Sequence, residues 1–310
     1  MPAERSEHVL IIKLGALGDF VQALSPLAAI RNHHSNAHIT LLTTTPYKAL
    51  AEVSGYVDEV WIDKRPKWTQ PVNWLSLRQQ LKKGGFSRVY DLQTSDRSSS
   101  YFHLFWPGPF PKWSGIARGC SHPHTNPGRD HMHTITRQAE QLSMAGIPEV
   151  PVADLHWING DIEKFGLSKP FALLVPGGAV HRPEKRWSTM HYRELAGELS
   201  DNGVTPVFLG AADEYTLISE IASGRESWVN LAGKTNLLDI GALARFARFA
   251  IGNDTGPMHL VSAVGCRSVV LYSHASDPAL CAQKGADVEI IRVEQLASLS
   301  VERVAQAVGL

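Results

Sequence analysis

The stretch Ile251–Gly265, IGNDTGPMHLVSAVG, joins a strand signal to a helix signal through a short polar turn. The apolar run Phe249-Ala250-Ile251 stops at Gly252-Asn253-Asp254-Thr255-Gly256. Pro257 then opens a run in which Met258, Leu260, Val261 and Val264 recur at helical spacing. Proline suits the first helical position, because its missing N–H would be unpaired there anyway. Asp254 and Thr255, just ahead of it, are cap-type residues. A strand end, a small-residue turn and a helix start bring free backbone N–H groups and the positive end of a helix dipole together, and both favour an anion. The same pattern describes an ordinary capped β-turn-α unit, and the stretch alone leaves both readings open.

Upstream, the second half repeats the pattern. Phe171–Val175, FALLV, reads as a buried strand and ends in Pro176-Gly177-Gly178, with Arg182, Lys185 and Arg186 in the following turn. A glycine pair after a strand wraps an anion with backbone N–H groups, and a nearby lysine adds a point charge. G-x-x-x-x-G-K-[ST] does not occur, so this is not a Walker A loop. Ser188 reads as the N-cap of a helix from about Met190 to Leu199. Thr205–Leu209 is a strand that runs into Asp213-Glu214, where an acid could hold ribose hydroxyls or simply complement a helix dipole. Trp228–Leu231 leads to Gly233-Lys234-Thr235-Asn236, a helix follows from Leu238 to Phe246, and Ser268–Tyr272 is the next strand. Each polar cluster follows a strand, so all converge on the carboxyl edge of one sheet.

The first half alternates in the same way, which predicts a doubly wound parallel sheet. Val9–Leu14 is a strand ending in Gly15-Ala16-Leu17-Gly18-Asp19, with a helix from about Phe20 to Arg31. The turn is G-x-x-G-D and lacks the G-x-G-x-x-G fingerprint of dinucleotide folds. Asp19 serves equally as a first-turn helix acid and as a carboxylate at the edge where α/β proteins place their sites. Strands are expected at His38–Thr43, Glu59–Ile62 and Arg88–Leu92, and helices at Tyr47–Val53, Trp74–Lys83 and His133–Ala145. Residues 106–129 carry five prolines and no periodicity, which reads as a long loop of the kind that binds ligands. His122, His124, His131 and His133 cluster there without a nearby cysteine, and they read as polar loop histidines sooner than as metal ligands. Pro148–Pro170, broken by Gly160 and Gly166, is the expected interdomain connection.

Composition sets the outer limits. A chain of 310 residues suggests two domains. A formal charge of zero argues against nucleic acid as a partner. Residues 1–150 carry 16 Lys and Arg against 12 Asp and Glu, which suits an anionic acceptor or membrane surface on that half. Cys120, Cys266 and Cys281 have no CxxC spacing and read as reduced cytoplasmic thiols. The N-terminal run before Lys13 is too short for a signal peptide or a membrane span.

Seven landmarks then occur in order: KLGALGD (13–19), YDLQ (90–93), His133-x-x-x-Arg137, PGG…KRW (176–187), FLGAADE (208–214), NLAGKTNL (230–237) and NDTGPMHL (253–260). In these the chain resembles glycosyltransferase family 9, the ADP-heptose:lipopolysaccharide heptosyltransferases, over nearly its whole length. The resemblance implies an α/β GT-B fold: an acceptor-binding Rossmann-like domain over 1–155 and a nucleotide-sugar-binding one over 156–310. It implies an inverting, metal-independent transfer with no cofactor besides the donor ADP-heptose. It also implies a lipid-linked glycan acceptor and a cytoplasmic enzyme with peripheral contact at the inner membrane.

Residue by residue, the resemblance makes Asp19 the general base and Lys185 the cation for the departing diphosphate. Thr255, Gly256, Gly177 and Gly178 fall on the phosphate-binding turns, and Asp254 and His259 lie beside the donor sugar. Glu214 matches the ribose acid, and Asn236-Leu237 the backbone that meets adenine. Gly18, Gln93, Arg97, His133 and Arg137 fall on the acceptor side. Two segments depart from the family pattern. Tyr272-Ser273-His274-Ala275-Ser276-Asp277-Pro278 replaces a YGPT-D-P motif, and the loop after Gly178 lacks a threonine pair. These departures bear on the donor sugar and the acceptor, which keeps a nucleotide-hexose transferase and a nucleotide-sugar 2-epimerase as alternatives.

Overall fold

The computed structural model describes residues 7–179 and 181–310. It divides into two compact units, the first ending at Asp154 and the second running from Leu155 to Leu310. The first unit contains, in order, β1 (His8–Ile12), α1 (Leu17–Gln22), α2 (Leu24–His33), β2 (His38–Thr43), α3 (Lys48–Val53) and β3 (Glu59–Ile62). It continues with α4 (Pro71–Lys83), β4 (Arg88–Asp91), α5 (Asp96–Phe102), β5 (Lys112–Gly115), β6 (His122–Pro123) and α6 (Thr134–Met144). The second unit opens with β7 (Phe171–Val175), α7 (Thr189–Asp201), β8 (Thr205–Phe208), α8 (Tyr215–Ala222), β9 (Val229–Asn230) and α9 (Leu237–Phe246). It closes with β10 (Ala250–Asn253), α10 (Gly256–Ala263), β11 (Ser268–Tyr272), α11 (Pro278–Cys281), β12 (Val288–Arg292) and α12 (Val301–Val308).

Among the described residues each unit holds one six-stranded sheet, ordered β3-β2-β1-β4-β5-β6 and β12-β11-β10-β7-β8-β9. All pairings are parallel. The two orders are the same once each unit is counted from its own first strand. In both, the connections reverse direction beside that first strand: between β1 and β4, and between β7 and β10. Such a reversal leaves a crevice at the carboxyl ends of the two strands, because the helices that follow them lie on opposite faces of the sheet. The chain leaving β1 carries Asp19 and the chain leaving β4 carries Gln93. The chain leaving β7 carries Gly177-Gly178, and the chain leaving β10 carries Asp254–Gly256.

Parallel strands covered on both faces must be apolar along their length. Val9–Ile12, Ile39, Leu41 and Leu42 are accordingly buried, as are Phe171–Val175 and Val269–Tyr272. Leu10, Ile12, Val89 and Trp113 anchor one core of the first unit. Leu174, Phe208, Ile251 and Leu271 anchor one of the second, with Trp187 and Tyr192 packed edge to face at 5.1 Å.

Several local expectations need correction. The helix expected over Phe20–Arg31 is split at Ala23 into α1 and α2. The stretch read as one long loop holds β5 and β6, too short for a period to register, with Pro111 just ahead of β5 and Pro123 inside β6. The segment opened by Ser95 forms α5, with Ser95 and Ser98 in a reciprocal cap. Gly252 and Asn253 belong to β10 and not to the turn, because they pair in register with Val175, Val270 and Leu271. Pro257 consequently falls at the second position of α10, after Gly256.

Candidate functional site

At the switch point of the second unit, Asn253 ties the strand ends together. Its side chain is fully buried. Its Nδ2 donates to the carbonyls of Pro176 (2.8 Å) and Gly177 (3.0 Å), and its Oδ1 accepts from the Trp187 N–H (3.0 Å). The Tyr192 hydroxyl lies 3.1 Å from the same Oδ1. One amide thus fixes the loop after β7, the entry to α7 and the end of β10. In the sequence Asn253 stands as a turn residue, and its position directly ahead of the acid and cap is the one signal of this role.

Glu214 reaches the same loop. Its Oε1 accepts from the Gly178 N–H at 2.9 Å and its Oε2 from the Ala211 N–H at 2.8 Å. A Cβ on Gly177 would collide with the Glu214 carboxylate, so glycine there lets the carboxylate keep its place against the loop. Glu214 therefore clamps two loops at the carboxyl edge. The Gly233 N–H donates to the Gly210 carbonyl at 3.0 Å, which brings the third loop beside them. Asn236 caps α9 by accepting from the Asp239 N–H at 2.9 Å, with Leu237 the first residue of that helix.

Lys185 and Asp254, expected as separate donor contacts, are an ion pair at 2.7 Å. Asp254 also accepts from the Ser276 hydroxyl (2.7 Å) and from Gln283 Nε2 (3.1 Å). Burial pushes its carboxyl up, but the hydrogen bonds from Lys185 and Ser276 outweigh this and hold it below the usual range. Ser276 lies in the segment that departs from the family motif. Gln283 gave no signal in the sequence.

Thr255 is the N-cap residue of α10, yet its side chain makes no cap bond and its Oγ1 is buried without a partner. The Gly256 and Met258 N–H groups belong to the first turn, where a helix supplies no acceptor, and Pro257 has no N–H to place. Arg186 donates from Nη2 to the Gly178 carbonyl, while its Nε is buried and unpaired. Arg186 and the Thr255 methyl both lie within 4 Å of where a Gly178 Cβ would stand. Buried donors without acceptors are costly unless something else satisfies them. Here a guanidinium N–H, a hydroxyl and first-turn amides gather at one glycine loop. His259 is buried one turn into α10.

The first unit carries a cavity of about 780 Å³ at its own switch point, lined by Leu14, Ala16, Asp19, Tyr47, Lys64, Arg65 and Gln93 among others. Asp19 Oδ2 accepts from the Ala16 N–H at 3.2 Å. Gly15 adopts φ +118°, and a Cβ there would meet the Tyr47 ring at 2.8 Å. Gln93 is held by the Leu14 N–H, which donates to its Oε1 at 2.9 Å. Arg65 is pinned to the wall: its N–H donates to Asp63 Oδ1 at 2.7 Å and its Nη2 to the Leu14 carbonyl at 2.7 Å. Lys64, Arg65 and Tyr47 follow neighbouring strands, and nothing in the sequence marks them as site residues.

Beneath Asp19, Lys13 is buried and donates to the Leu92 carbonyl at 3.2 Å. Burial lowers its ammonium to about 8, against the pull of Asp19 and Asp91. Arg137 is lowered by burial and by Arg129, with Asp19 acting the other way, so it stands within electrostatic reach of Asp19. His133 caps α6, its Nδ1 accepting from the Ile135 N–H at 3.2 Å. Gly18 sits in the first turn of α1. Arg97 is turned elsewhere: it donates to the Pro66 carbonyl at 3.1 Å and faces the Trp74 ring. His122 bonds the Ser121 hydroxyl and His124 bonds Glu140, each within its own surroundings.

A family model described as glycosyltransferase family 9 (heptosyltransferase) matches residues 74–307. The lipopolysaccharide core heptosyltransferase OpsX of Haemophilus influenzae is 24% identical over 293 residues, 87% of this chain and 80% of that one. Among solved structures, the glycosyl transferase family 9 protein of Veillonella parvula is similar with a TM-score of 0.83 at 21% identity, covering 97% of this chain and 95% of that one. The E. coli ADP-heptose lipopolysaccharide heptosyltransferase II is similar with a TM-score of 0.76 at 22% identity, covering 97% of each. Two doubly wound units of this kind make the GT-B fold.

Proposed function

The chain belongs to glycosyltransferase family 9, and from that premise we propose that it is an inverting, metal-independent enzyme that moves a heptose from ADP-heptose to a lipopolysaccharide core or related surface glycan. The observation that carries the donor side is the set of buried, unpaired donors, Arg186 Nε and Thr255 Oγ1, beside Gly178 and the start of α10. A diphosphate supplies the missing acceptors. Its leaving charge is met by fixed N–H groups, the helix dipole and the Lys185 ammonium, a preorganised set that needs no metal ion. Asp254 holds Lys185 in place.

In the reaction an acceptor hydroxyl attacks the anomeric carbon while the bond from that carbon to the diphosphate oxygen breaks. ADP leaves with the electron pair, and the hydroxyl proton passes to Asp19. A carboxylate suffices as base because the proton becomes acidic only as the new C–O bond forms. A single displacement inverts the anomeric centre. Lys64 and Arg65 beside Asp19 suit an acceptor sugar bearing a carboxylate or phosphate. The acceptor is read as lipid-linked, with the enzyme in the cytoplasm and in peripheral contact with the membrane. Among the described residues no helix is long and apolar enough to cross a bilayer.

Calorimetric titration of ADP, UDP and GDP, run in EDTA, tests the donor. ADP should bind best, with its affinity unaffected by the chelator. A preference for UDP would replace the heptose reading with a nucleotide-hexose transferase, and ADP binding that disappears in EDTA would overturn the metal-free diphosphate site.

A further inference from the structure

The first unit exposes an aromatic and aliphatic surface that its own fold does not cover. Trp68 is 74% exposed, Val72 74%, Trp106 68% and Leu75 55%. Val72, Leu75, Gln79 and Lys82 follow one another at helical spacing along the outer stripe of α4, opposite the buried Leu77 and Leu81. Trp68 stacks on Trp74 of the same helix with ring centroids 4.8 Å apart. Arg78 Nη2 donates to the Trp106 carbonyl at 2.7 Å, which holds that tryptophan's backbone against α4. Val72 and Leu75 on α4, Trp68 stacked on Trp74 and the backbone of Trp106 therefore meet at one helix.

The segment that carries Trp68, Val72 and Leu75 has charge of one sign. Between Asp63 and Asp91 the chain carries Lys64, Arg65, Lys67, Arg78, Lys82, Lys83 and Arg88 and no acid. Asp63 and Asp91 are themselves buried. The core of a protein interface is depleted in lysine, whereas here Lys82 stands on the same stripe as Val72 and Leu75. Exposed tryptophan and aliphatic residues interleaved with Lys and Arg fit another phase, the boundary between headgroups and acyl chains, where indoles settle and cations meet anionic lipid. The acid-free run begins at Lys64 and Arg65, which line the Asp19 cavity, so this surface is continuous in the chain with the wall of the acceptor pocket.

We propose that Trp68, Val72, Leu75 and Trp106, with Lys82 and Lys83 at their edge, are the face by which the first unit lies on an anionic phospholipid bilayer. The inference assigns a surface to the membrane contact read above for a lipid-linked acceptor. Its test uses neither donor nor acceptor, so it stands or falls separately from the transferase reading.

The full chain is floated with vesicles of phosphatidylcholine alone and of phosphatidylcholine mixed with phosphatidylglycerol. Binding is expected to the mixed vesicles only and to weaken as salt is raised. Trp68→Ser combined with Trp106→Ser should lower partitioning on the order of tenfold. Lys82→Gln combined with Lys83→Gln should lower it roughly 10- to 30-fold. Unaltered thermal unfolding shows that each variant is folded, and the lysine pair alone decides the matter if the tryptophan pair fails to fold. Equal binding of wild type and folded variants, or no binding of wild type to the mixed vesicles, overturns the proposal. So does a dimer in sedimentation velocity that the tryptophan pair dissolves, since the surface would then join two copies of the chain.

Discussion

Lys13 lies under the cavity floor with its ammonium on the Leu92 carbonyl, and Asp91 lies fully buried on the adjacent strand. Burial lowers Lys13 to about 8 from 10.5 and raises Asp91 to about 6 from 3.8. Asp91 Oδ1 is satisfied by the Gln93 and Thr94 N–H groups, while its Oδ2 has no partner. Between these two values both groups are charged. For a cation whose folded pKa is depressed, the unfolded chain binds more protons in the interval from about 8 to 10.5, so stability rises with pH there. For the acid whose folded pKa is raised, stability rises instead as pH falls from about 6 toward 4. Lys13→Met should therefore abolish the alkaline rise. Urea unfolding of both proteins at neutral and alkaline pH reads this directly, and an alkaline rise that persists in the variant would refute it. Asp19, at the same switch point, has a different task. Asp19→Ala should lower turnover roughly 10²–10⁴-fold while ADP affinity, measured by calorimetry, stays unchanged; a loss seen only in nucleotide affinity would remove Asp19 from the base role.

At the scale of the element, the start of α10 works only because other elements are brought to it. Residues 251–265 spell out a strand, a turn and a helix, and the anion-ready N-terminus follows from that pattern alone. What satisfies the surrounding groups does not follow from it. Thr255 looks like a cap, yet its side chain makes no cap bond and its hydroxyl is buried without a partner. Lys185 looks like a free cation and is paired with Asp254, across a sequence separation of 69 residues. Glu214 looks like a ligand acid and uses both oxygens to hold the loops after β7 and β8. Gly177→Ala would drive a methyl into that carboxylate. It should weaken ADP at least about tenfold and destabilise the second unit by about 1 kcal/mol, the net worth of a lost hydrogen bond. On a Glu214→Ala background the same substitution should cost much less, since the clash is gone. Additive effects in this double-mutant cycle, read by calorimetry and thermal unfolding, would show that the contact is not what requires glycine.

For the whole molecule, two sheets of the same strand order are built on separate cores, and each places its polar residues at its own reversal point. A nucleotide held by the second unit should stabilise that unit by about 2.7 kcal/mol at a hundredfold excess over Kd. Amide exchange in saturating ADP should therefore slow in β7, β8, β10 and α10 and leave β1, β2 and β4 as they are. Slowing confined to the first unit would place the nucleotide there and reverse the division of labour.

The sequence by itself determined the alternation of short apolar strands with helices, and hence two parallel sheets, because a strand buried on both faces must be apolar throughout. It also marked which turns carry glycine, hydroxyl and charge, since those residue types are required locally for tight turns and helix starts. Only the tertiary structure decided that β10 runs between Phe171–Val175 and Ser268–Tyr272 and not beside Val229–Asn230, the strand that precedes it in the chain. That pairing lets one buried amide, Asn253, hold two loops 76 residues apart. Strand order depends on how distant helices cover the sheet, and no local pattern encodes it.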